Sequence, residues 1–181
     1  MKPDTFARFT RNLPLKYFLM ALLPMTVLLY TPASNFVVLH FGEKILLETR
    51  PVDPRDILRG DYVVLEYEIE SIPDEMMPEE VQEERDYRRR RREVFVSLER
   101  DDDGIAGVSG VSTARPSGLY LKAMVRTSWR FIGNVDYNLG VYYVPEGTGR
   151  ELERAINAGS VLADVRVLRG RGVIKKLEIV E

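Results

Sequence analysis

Two patterns of apolar positions divide this chain, one continuous and one alternating. Tyr17 through Gly42 contains no Asp, Glu, Lys or Arg over 26 positions, and its most apolar part runs from Phe18 to Tyr30. After Gly42 apolar and polar residues alternate, which is typical of strands that bury one face. The pattern therefore predicts one long apolar segment followed by a β-rich domain.

The apolar segment is long enough to cross a bilayer as a helix, which needs about 20 residues. Residues 1–16 carry a net charge of +3, and the whole chain carries -2, so the remainder is acidic. Basic residues before a span favour a cytoplasmic N-terminus. The sequence thus predicts a cytoplasmic segment over 1–16, a transmembrane helix with its exit segment over 17–42, and an extracytoplasmic domain over 43–181.

Two prolines complicate this helix. Pro24 and Pro32 are expected to kink or shorten it, and Pro32–Asn35 offers an end. The alternative interpretation is a cleaved signal peptide, for which Thr31–Ala33 is a poor cleavage site. Apolar character resumes at Phe36–Leu39, which either extends the helix or begins the first strand after a cut.

Period-two alternation predicts the strands of the domain. The first predicted strand is Lys44–Arg50, which ends at Pro51, and the next is Tyr62–Glu70. On a two-residue period, one face of this second strand carries Val63, Leu65, Tyr67 and Ile69, and the other carries Tyr62, Val64, Glu66, Glu68 and Glu70. Later predicted strands are Val94–Arg100, Ile105–Ser109, Leu119–Arg126, Trp129–Ile132, Leu139–Val144, Val161–Leu168 and Val173–Val180. The predicted fold class is mainly β: a single N-terminal transmembrane helix followed by one antiparallel β-rich domain, barrel- or sandwich-like, with one or two short helices.

Composition narrows the chemistry of the domain. The chain has no cysteine, so disulfides and thiolate metal sites are excluded. His40 is the single histidine and lies beside the apolar run, where a packed or membrane-interface residue is the expectation. We therefore expect no metal site and no cofactor.

Five consecutive arginines, Arg88 to Arg92, follow an acidic segment that contains Glu79, Glu84 and Asp86. Glu84 and Asp86 stand four residues before Arg88 and Arg90, which predicts a short exposed helix that begins after Pro78. The acids neutralise the run locally and no aromatic ladder accompanies it, so we expect no nucleic-acid partner. Contact with lipid headgroups remains the alternative for this run.

The turn before the second strand concentrates polar groups. Pro51 and Pro54 restrict its backbone, and Gly60 permits positive φ. Its candidate binding residues are Asp53, Arg55, Asp56, Arg59, Gly60, Asp61 and Tyr62. The structural interpretation is a loop in which the carboxylates cap backbone amides or pair with the arginines; the functional one is a docking point for an anion, a cation or a partner.

A second rigid segment runs from Tyr143 to Glu153. Pro145 and Gly147 hold Glu146 on a bend, where it either accepts backbone amides at a helix start or serves binding. Thr148 and Glu151 have the spacing of a capping box, and Gly159 can end the helix that follows.

These two segments resemble the bacterial GDYXXLXY protein family, through Gly60, Asp61, Tyr62, Leu65 and Tyr67 and through Tyr143-Val-Pro-Glu-Gly147. The resemblance implies an envelope protein of unassigned activity in the bacterial cytoplasmic (inner) membrane, whose domain faces the periplasm or the exterior. It also implies multi-pass membrane proteins as neighbours. The resemblance implies no cofactor and no substrate.

The leading functional hypothesis is a non-catalytic domain that docks onto an integral-membrane partner through the Asp53–Tyr62 turn. The enzyme alternative is a hydrolase or carbohydrate-acting enzyme that uses Asp61 and Glu146 as acid and base across one cleft. A third class is a sensor of a cation or small ligand. Val52 stands where membrane signal peptidases, whose strand begins with a similar Gly-Asp, carry their serine, so no catalytic residue is assigned.

Overall fold

The computed structural model describes residues 13–51, 62–83, 90–127, 132–145, 149–159 and 161–179. The chain divides into two units, Met1–Val37 and Val38–Glu181. Of the described residues, the first unit holds most of one helix, and the second holds the last turn of that helix and the described strands.

Helix α1 spans Leu13–Phe41, and its Tyr17–Phe41 stretch is apolar enough to cross a membrane. These 25 residues extend about 37 Å at 1.5 Å per residue, more than the roughly 30 Å of a hydrocarbon core. Most large apolar side chains along the stretch are exposed. A helix with these properties serves as a membrane anchor or as a signal sequence.

The helix continues through both prolines, so Pro32–Asn35 does not end it. An internal proline removes one backbone hydrogen bond and bends a helix, yet leaves the flanking bonds in place. Beside the second proline, Ser34 Oγ also donates to the Thr31 carbonyl at 2.8 Å. The predicted resumption of apolar character at Phe36–Leu39 thus belongs to the same helix.

Ten strands follow within the described residues. They are β1 (Glu43–Arg50), β2 (Tyr62–Val64), β3 (Glu66–Tyr67), β4 (Arg90–Arg100), β5 (Ala106–Ser112), β6 (Tyr120–Thr127), β7 (Ile132–Asp136), β8 (Val141–Tyr143), β9 (Val161–Leu168) and β10 (Arg171–Ile179). One antiparallel sheet has the order β10-β9-β1-β3, a second has the order β5-β4-β6-β7, and β2 pairs with β8. The predicted mainly β fold class is confirmed.

Two backbone contacts join the four-stranded sheets around one core. The Leu46 amide donates to the Gly104 carbonyl at 3.1 Å, and the Lys122 amide donates to the Gly170 carbonyl at 2.8 Å. Alternate residues of the strands fill the space between the sheets, as their period-two pattern predicts. The fully buried side chains include Ile45, Leu47, Val94, Val96, Leu121, Val125 and Val165.

The predicted strand Tyr62–Glu70 proves to be discontinuous. It is broken at Leu65, and Glu68–Glu70 forms a 3₁₀ turn. The break occurs because the segment changes partners: β2 pairs with β8, whereas β3 pairs with β1. The predicted division of faces is nevertheless confirmed, since Val63, Leu65 and Tyr67 are at most 2% exposed.

Tertiary pairing also changes the predicted structure of the arginine run. Arg90, Arg91 and Arg92 begin β4, opposite Val125 to Thr127 of β6, and are not helical. Ladder bonds to β6 outweigh the helical spacing of their charges, which contributes only a few tenths of a kcal/mol. Strand β7 spans Ile132–Asp136, and residues 129–131 of the strand predicted at Trp129–Ile132 lie outside the described residues.

Two short α-helices lie among the described residues of the domain. Helix α2 spans Glu79–Glu83 directly after Pro78, and α3 spans Gly149–Asn157. Ile156 is buried, and Gly159 ends α3 with a φ of +71°. The helix predicted after the Pro-Glu-Gly bend is confirmed, while its capping residue Thr148 lies outside the described residues.

Candidate functional site

The pairing of β2 with β8 brings the two motif segments together. Tyr62 lies opposite Tyr143, Val63 opposite Tyr142, and Val64 opposite Val141. The rings of Tyr62 and Tyr143 are 6.3 Å apart, centre to centre, with their planes inclined by 60°. The chain enters β2 from the Gly-Asp of the first motif and leaves β8 toward the Pro-Glu-Gly of the second at the same end of this ribbon.

Leu65 and the neighbouring backbone fix the inner side of the ribbon. The Leu65 amide donates to the Gly140 carbonyl at 3.0 Å and extends the pairing by one residue beyond β2. A Cβ on Gly140 would lie 3.3 Å from the Leu65 carbonyl oxygen, so the two backbones approach closely. Leu65 is therefore a core residue of the motif, as predicted.

Two buried tyrosines bind the motif strand to the segment that precedes β8. The Tyr67 hydroxyl donates to the Leu139 carbonyl at 3.0 Å. In the reverse direction, the Tyr137 hydroxyl donates to the Ile69 carbonyl at 2.8 Å. Burial raises the pKa of both hydroxyls above their ordinary range, so both act as neutral donors. The prediction that a buried Tyr67 needs a hydroxyl partner is confirmed.

Glu70 is a carboxylate in this region whose pKa is clearly raised above its ordinary value. Its pKa is raised to about 7, first by burial and then by the nearby carboxylates of Glu66 and Asp136. A hydrogen bond from the Tyr67 amide and the charge of Arg50 oppose this shift. The alternation pattern placed Glu70 on a polar face, but no sequence signal indicated its burial.

The outer face of the β2–β8 ribbon is apolar and exposed. Val64 is 48%, Val141 50% and Tyr143 77% accessible to solvent. Because Val64 lies directly opposite Val141 and Tyr62 opposite Tyr143, the four side chains form one contiguous patch. Exposed apolar patches of this kind mark interaction sites more often than isolated apolar residues do. We call these four residues the ribbon patch.

Sequence reasoning named only Tyr62 of the ribbon patch as a candidate. The signal for the rest was present, because Val64 stands among glutamates on the predicted polar face and Tyr143 begins the second motif. What the sequence lacked was the register that joins the two segments.

Most of the predicted polar site residues lie outside the described residues. These are Asp53, Arg55, Asp56, Arg59, Gly60, Asp61, Glu146 and Gly147. Tyr62, Leu65, Tyr67 and Pro145 are described, and Pro145 is exposed two residues beyond β8. The predicted roles of the three aspartates, the two arginines and Glu146 remain predictions.

One groove of about 740 Å³ lies between β5 and the Glu68–Met76 segment, and four carboxylates line it: Glu48, Glu68, Glu99 and Asp101. Two of these have local structural partners. Glu68 pairs with Arg50 at 3.4 Å, and Asp101 accepts the amides of Asp103 and Ile105 in the β4–β5 turn. Within the part of the chain that the structure describes, no three His, Cys, Asp or Glu side chains are grouped as metal ligands.

A family model described as GDYXXLXY protein matches residues 24–177. This range covers both motif segments and nearly all of the described strands. Neither the curated proteins nor the solved structures include a match to the chain.

Proposed function

Because this chain belongs to the GDYXXLXY protein family, whose members have no assigned activity, we propose its function from the ribbon that its two motif segments form. It is a membrane-anchored, non-catalytic domain that docks onto an integral-membrane protein. The ribbon patch and the adjoining Asp53–Tyr62 turn form the contact surface. The anchored helix is in the bacterial cytoplasmic membrane, and the domain faces the periplasm or the exterior.

The observation that carries this proposal is the exposed apolar face of the ribbon. A two-stranded ribbon with Val64, Val141 and Tyr143 about half or more exposed keeps apolar area in water that a partner would cover. Aromatic residues, tyrosine among them, are enriched at the centres of protein interfaces. The residues that precede Tyr62 in the sequence include Asp53, Arg55, Asp56, Arg59 and Asp61, which have the charge that the rims of such interfaces carry.

The anchor supports the choice of an integral-membrane partner. A domain joined to a membrane helix without a linker is confined to a thin layer next to the bilayer, which raises its effective concentration toward proteins in the same membrane. Partners that diffuse freely in solution gain nothing from this confinement.

The first experiment is site-specific photo-crosslinking in intact cells. A photoreactive phenylalanine analogue at Tyr143 should give a discrete adduct with a membrane protein. The matched control is Ile179 on β10, which is 59% exposed but lies outside the ribbon. Equal adducts from both positions, or none from Tyr143, would overturn the proposal.

The second experiment changes the patch without disturbing the core. Val141→Lys should abolish the adduct while leaving the melting temperature nearly unchanged, because the side chain is half exposed. Ile179→Lys is the control and should leave the adduct intact. A Val141→Lys variant that crosslinks like the parent would exclude the ribbon patch from the contact.

A further inference from the structure

Strand β5 lies at the end of its sheet, so one of its edges faces away from the other strands. It pairs with β4 on one side, in the order β5-β4-β6-β7. On the other side, a single parallel bridge joins Leu46 of β1 to Ile105, the residue just before β5. Beyond this bridge, the described strands leave the outer edge of β5 without a partner.

The hydrogen bonds of the β4–β5 hairpin indicate which backbone groups point to that edge. The Asp101 amide donates to the Ile105 carbonyl at 3.0 Å, which marks a hydrogen-bonded pair. Along an antiparallel ladder, such pairs alternate with pairs whose amides and carbonyls point away from the partner strand. Val108, opposite Leu98, belongs to the second kind. Its amide and carbonyl are therefore directed to the outer edge, where another strand can bind them.

The sequence of β5 lacks the features that usually protect an edge strand. Natural edge strands carry charged residues or proline, or another part of the protein covers them. Residues 104–114 contain no charged residue and no proline. By contrast, β10 ends the other four-stranded sheet and contains Arg171, Lys175, Lys176 and Glu178. The edge of β5 is thus suited to pairing with another chain.

The groove of about 740 Å³ opens along this edge. One side of it contains Ala106, Gly107 and Val108, and the other side is the Glu68–Met76 segment. That segment forms two 3₁₀ turns with local hydrogen bonds, such as the bond from the Ser71 amide to the Glu68 carbonyl. It therefore borders the groove without being a strand of the β5 sheet.

The described residues that line the groove give it a negative charge. Its one lining cation among them is Arg100, which already pairs with Glu43. Of the four lining carboxylates, Glu48 and Glu99 are exposed and take part in no ion pair with another described residue. A Cβ on Gly107, opposite Glu99, would meet no atom within 4 Å, so the space beside this carboxylate is open. A cationic occupant complements this groove.

We propose that the groove binds a short extended segment of another protein, which adds a strand to β5 and carries lysine or arginine. Main-chain hydrogen bonds to Val108 align the segment, and its cationic side chains pair with Glu48 and Glu99. The β4–β5 register shifts between Ser97 and Leu98, so the regular edge is short and the added strand covers only a few residues. This surface shares no residue with the ribbon patch, and the inference does not rest on the docking proposal.

The first test titrates the full chain, purified in a neutral detergent, into a fluorescently labelled peptide Lys-Val-Lys-Val-Lys and measures its anisotropy. This peptide should bind, and Glu-Val-Glu-Val-Glu should not. A Lys-Val-Lys-Val-Lys peptide with methylated internal amides keeps its charges but cannot donate main-chain hydrogen bonds there, so it should bind much more weakly. Absent binding of the unmodified peptide, or equal binding of the methylated one, would overturn the proposal.

The second test changes the charge of the groove. Glu99→Gln should weaken binding of the Lys-Val-Lys-Val-Lys peptide about fivefold, the effect of losing one exposed ion pair. The matched control is Glu93→Gln, which neutralises an exposed carboxylate on the same face of β4, about 20 Å away. This control should bind like the parent. Equal losses in both variants, or no loss in Glu99→Gln, would exclude the groove as the binding site.

The third test changes the strand edge itself. Proline is tolerated on an edge strand where its position donates no ladder bond, so Val108→Pro should keep a β-rich circular dichroism spectrum and lose peptide binding. If this variant does not fold, the methylated peptide tests the same hydrogen bonds on the parent protein. A folded Val108→Pro variant that binds like the parent would overturn the strand pairing.

A second copy of the chain is the competing occupant of this edge. The chain has no cysteine, so Ser109→Cys places a single thiol on the exposed part of β5. This variant should stay monomeric under mild oxidation in the absence of peptide. Near-complete disulfide crosslinking between two copies would assign the edge to a dimer and overturn the proposal.

Discussion

At the scale of single residues, the motif separates into side chains that hold the fold and side chains that face outward. Leu65 and Tyr67 are buried, and Tyr67 uses its hydroxyl to hold the segment before β8. Val64 and Tyr143 point outward from the same ribbon. Leu65 and Tyr67, the Leu and the second Tyr of the motif, thus have structural roles in this fold.

Tyr67→Phe should lower the free energy of unfolding by about 1 to 3 kcal/mol, because it leaves the buried Leu139 carbonyl without a donor. Urea denaturation of the full chain in detergent measures the change. Tyr143→Phe is the control and should alter stability by less than about 0.5 kcal/mol, since that ring is 77% exposed. Equal effects would show that the hydroxyl of Tyr67 contributes nothing.

Glu70 should make stability depend on pH near neutrality. Its folded-state pKa of about 7 lies above its ordinary value of 4.5, so the folded state binds the extra proton between these values. Stability is then complete below pH 4.5 and is lost as pH rises through 7. After discounting for partial exposure, we expect a loss of about 1 to 2 kcal/mol.

Glu70→Gln should remove this component and stabilise the protein above pH 7. Unfolding curves at pH 4.5, 6 and 8 for the parent and the variant measure it. Glu75→Gln, at an exposed position in the same segment, is the control and should keep the parent's slope. An unchanged slope in Glu70→Gln would assign the pH dependence to other groups.

At the scale of elements, the sequence predicted strands and turns well where local chemistry decides them. The Asp-Gly hairpin at Asp101–Gly104, the strand that ends at Pro51 and the terminal hairpin all match their predicted places. It failed where distant pairing decides them. The predicted strand breaks at Leu65 because β2 and β3 pair with different strands, and Arg90 to Arg92 are extended because they pair with β6. Neither outcome is indicated by the local sequence.

The β9–β10 turn gives a prediction at this scale. Gly170→Ala should destabilise by at least about 1 kcal/mol, because Gly170 has positive φ and its Cβ would lie 2.4 Å from the Tyr120 ring. Gly110→Ala is the control, because a Cβ there meets no atom within 4 Å. Thermal unfolding of both variants measures the difference in stability. If Gly170→Ala leaves the melting temperature unchanged, the Tyr120 ring moves away at little cost in free energy.

At the scale of the whole molecule, one apolar helix and one β domain account for the described residues, as the change of hydrophobic pattern after Gly42 predicts. The candidate site could be predicted only in part. The motif segments were identified from their residues, but the ribbon patch depends on a register between positions about 80 residues apart. Such pairings follow from the packing of the complete domain and from no single segment.

Membrane fractionation tests this division of the chain. The full-length protein should stay with membranes after carbonate extraction, because its apolar helix exceeds the thickness of a hydrocarbon core. A variant without residues 1–42 should appear in the aqueous fraction and keep a β-rich circular dichroism spectrum. A full-length product that is shortened near Ala33 and water-soluble would instead identify a cleaved signal peptide.

The long-range pairing of β1 also determines when the domain can fold. Glu43 to Glu48 of β1 pair with Leu162 to Val167 of β9. The first strand to be synthesised can therefore form this pairing only after nearly the whole chain has been synthesised. Such non-local contacts slow folding, because loop closure precedes any gain from pairing. We therefore expect the Glu43–Glu48 part of β1 to lack its β9 partner until synthesis of the chain is nearly complete. Any chain that is truncated before β9 would then expose this strand's edge to chaperones and proteases instead of forming part of the domain.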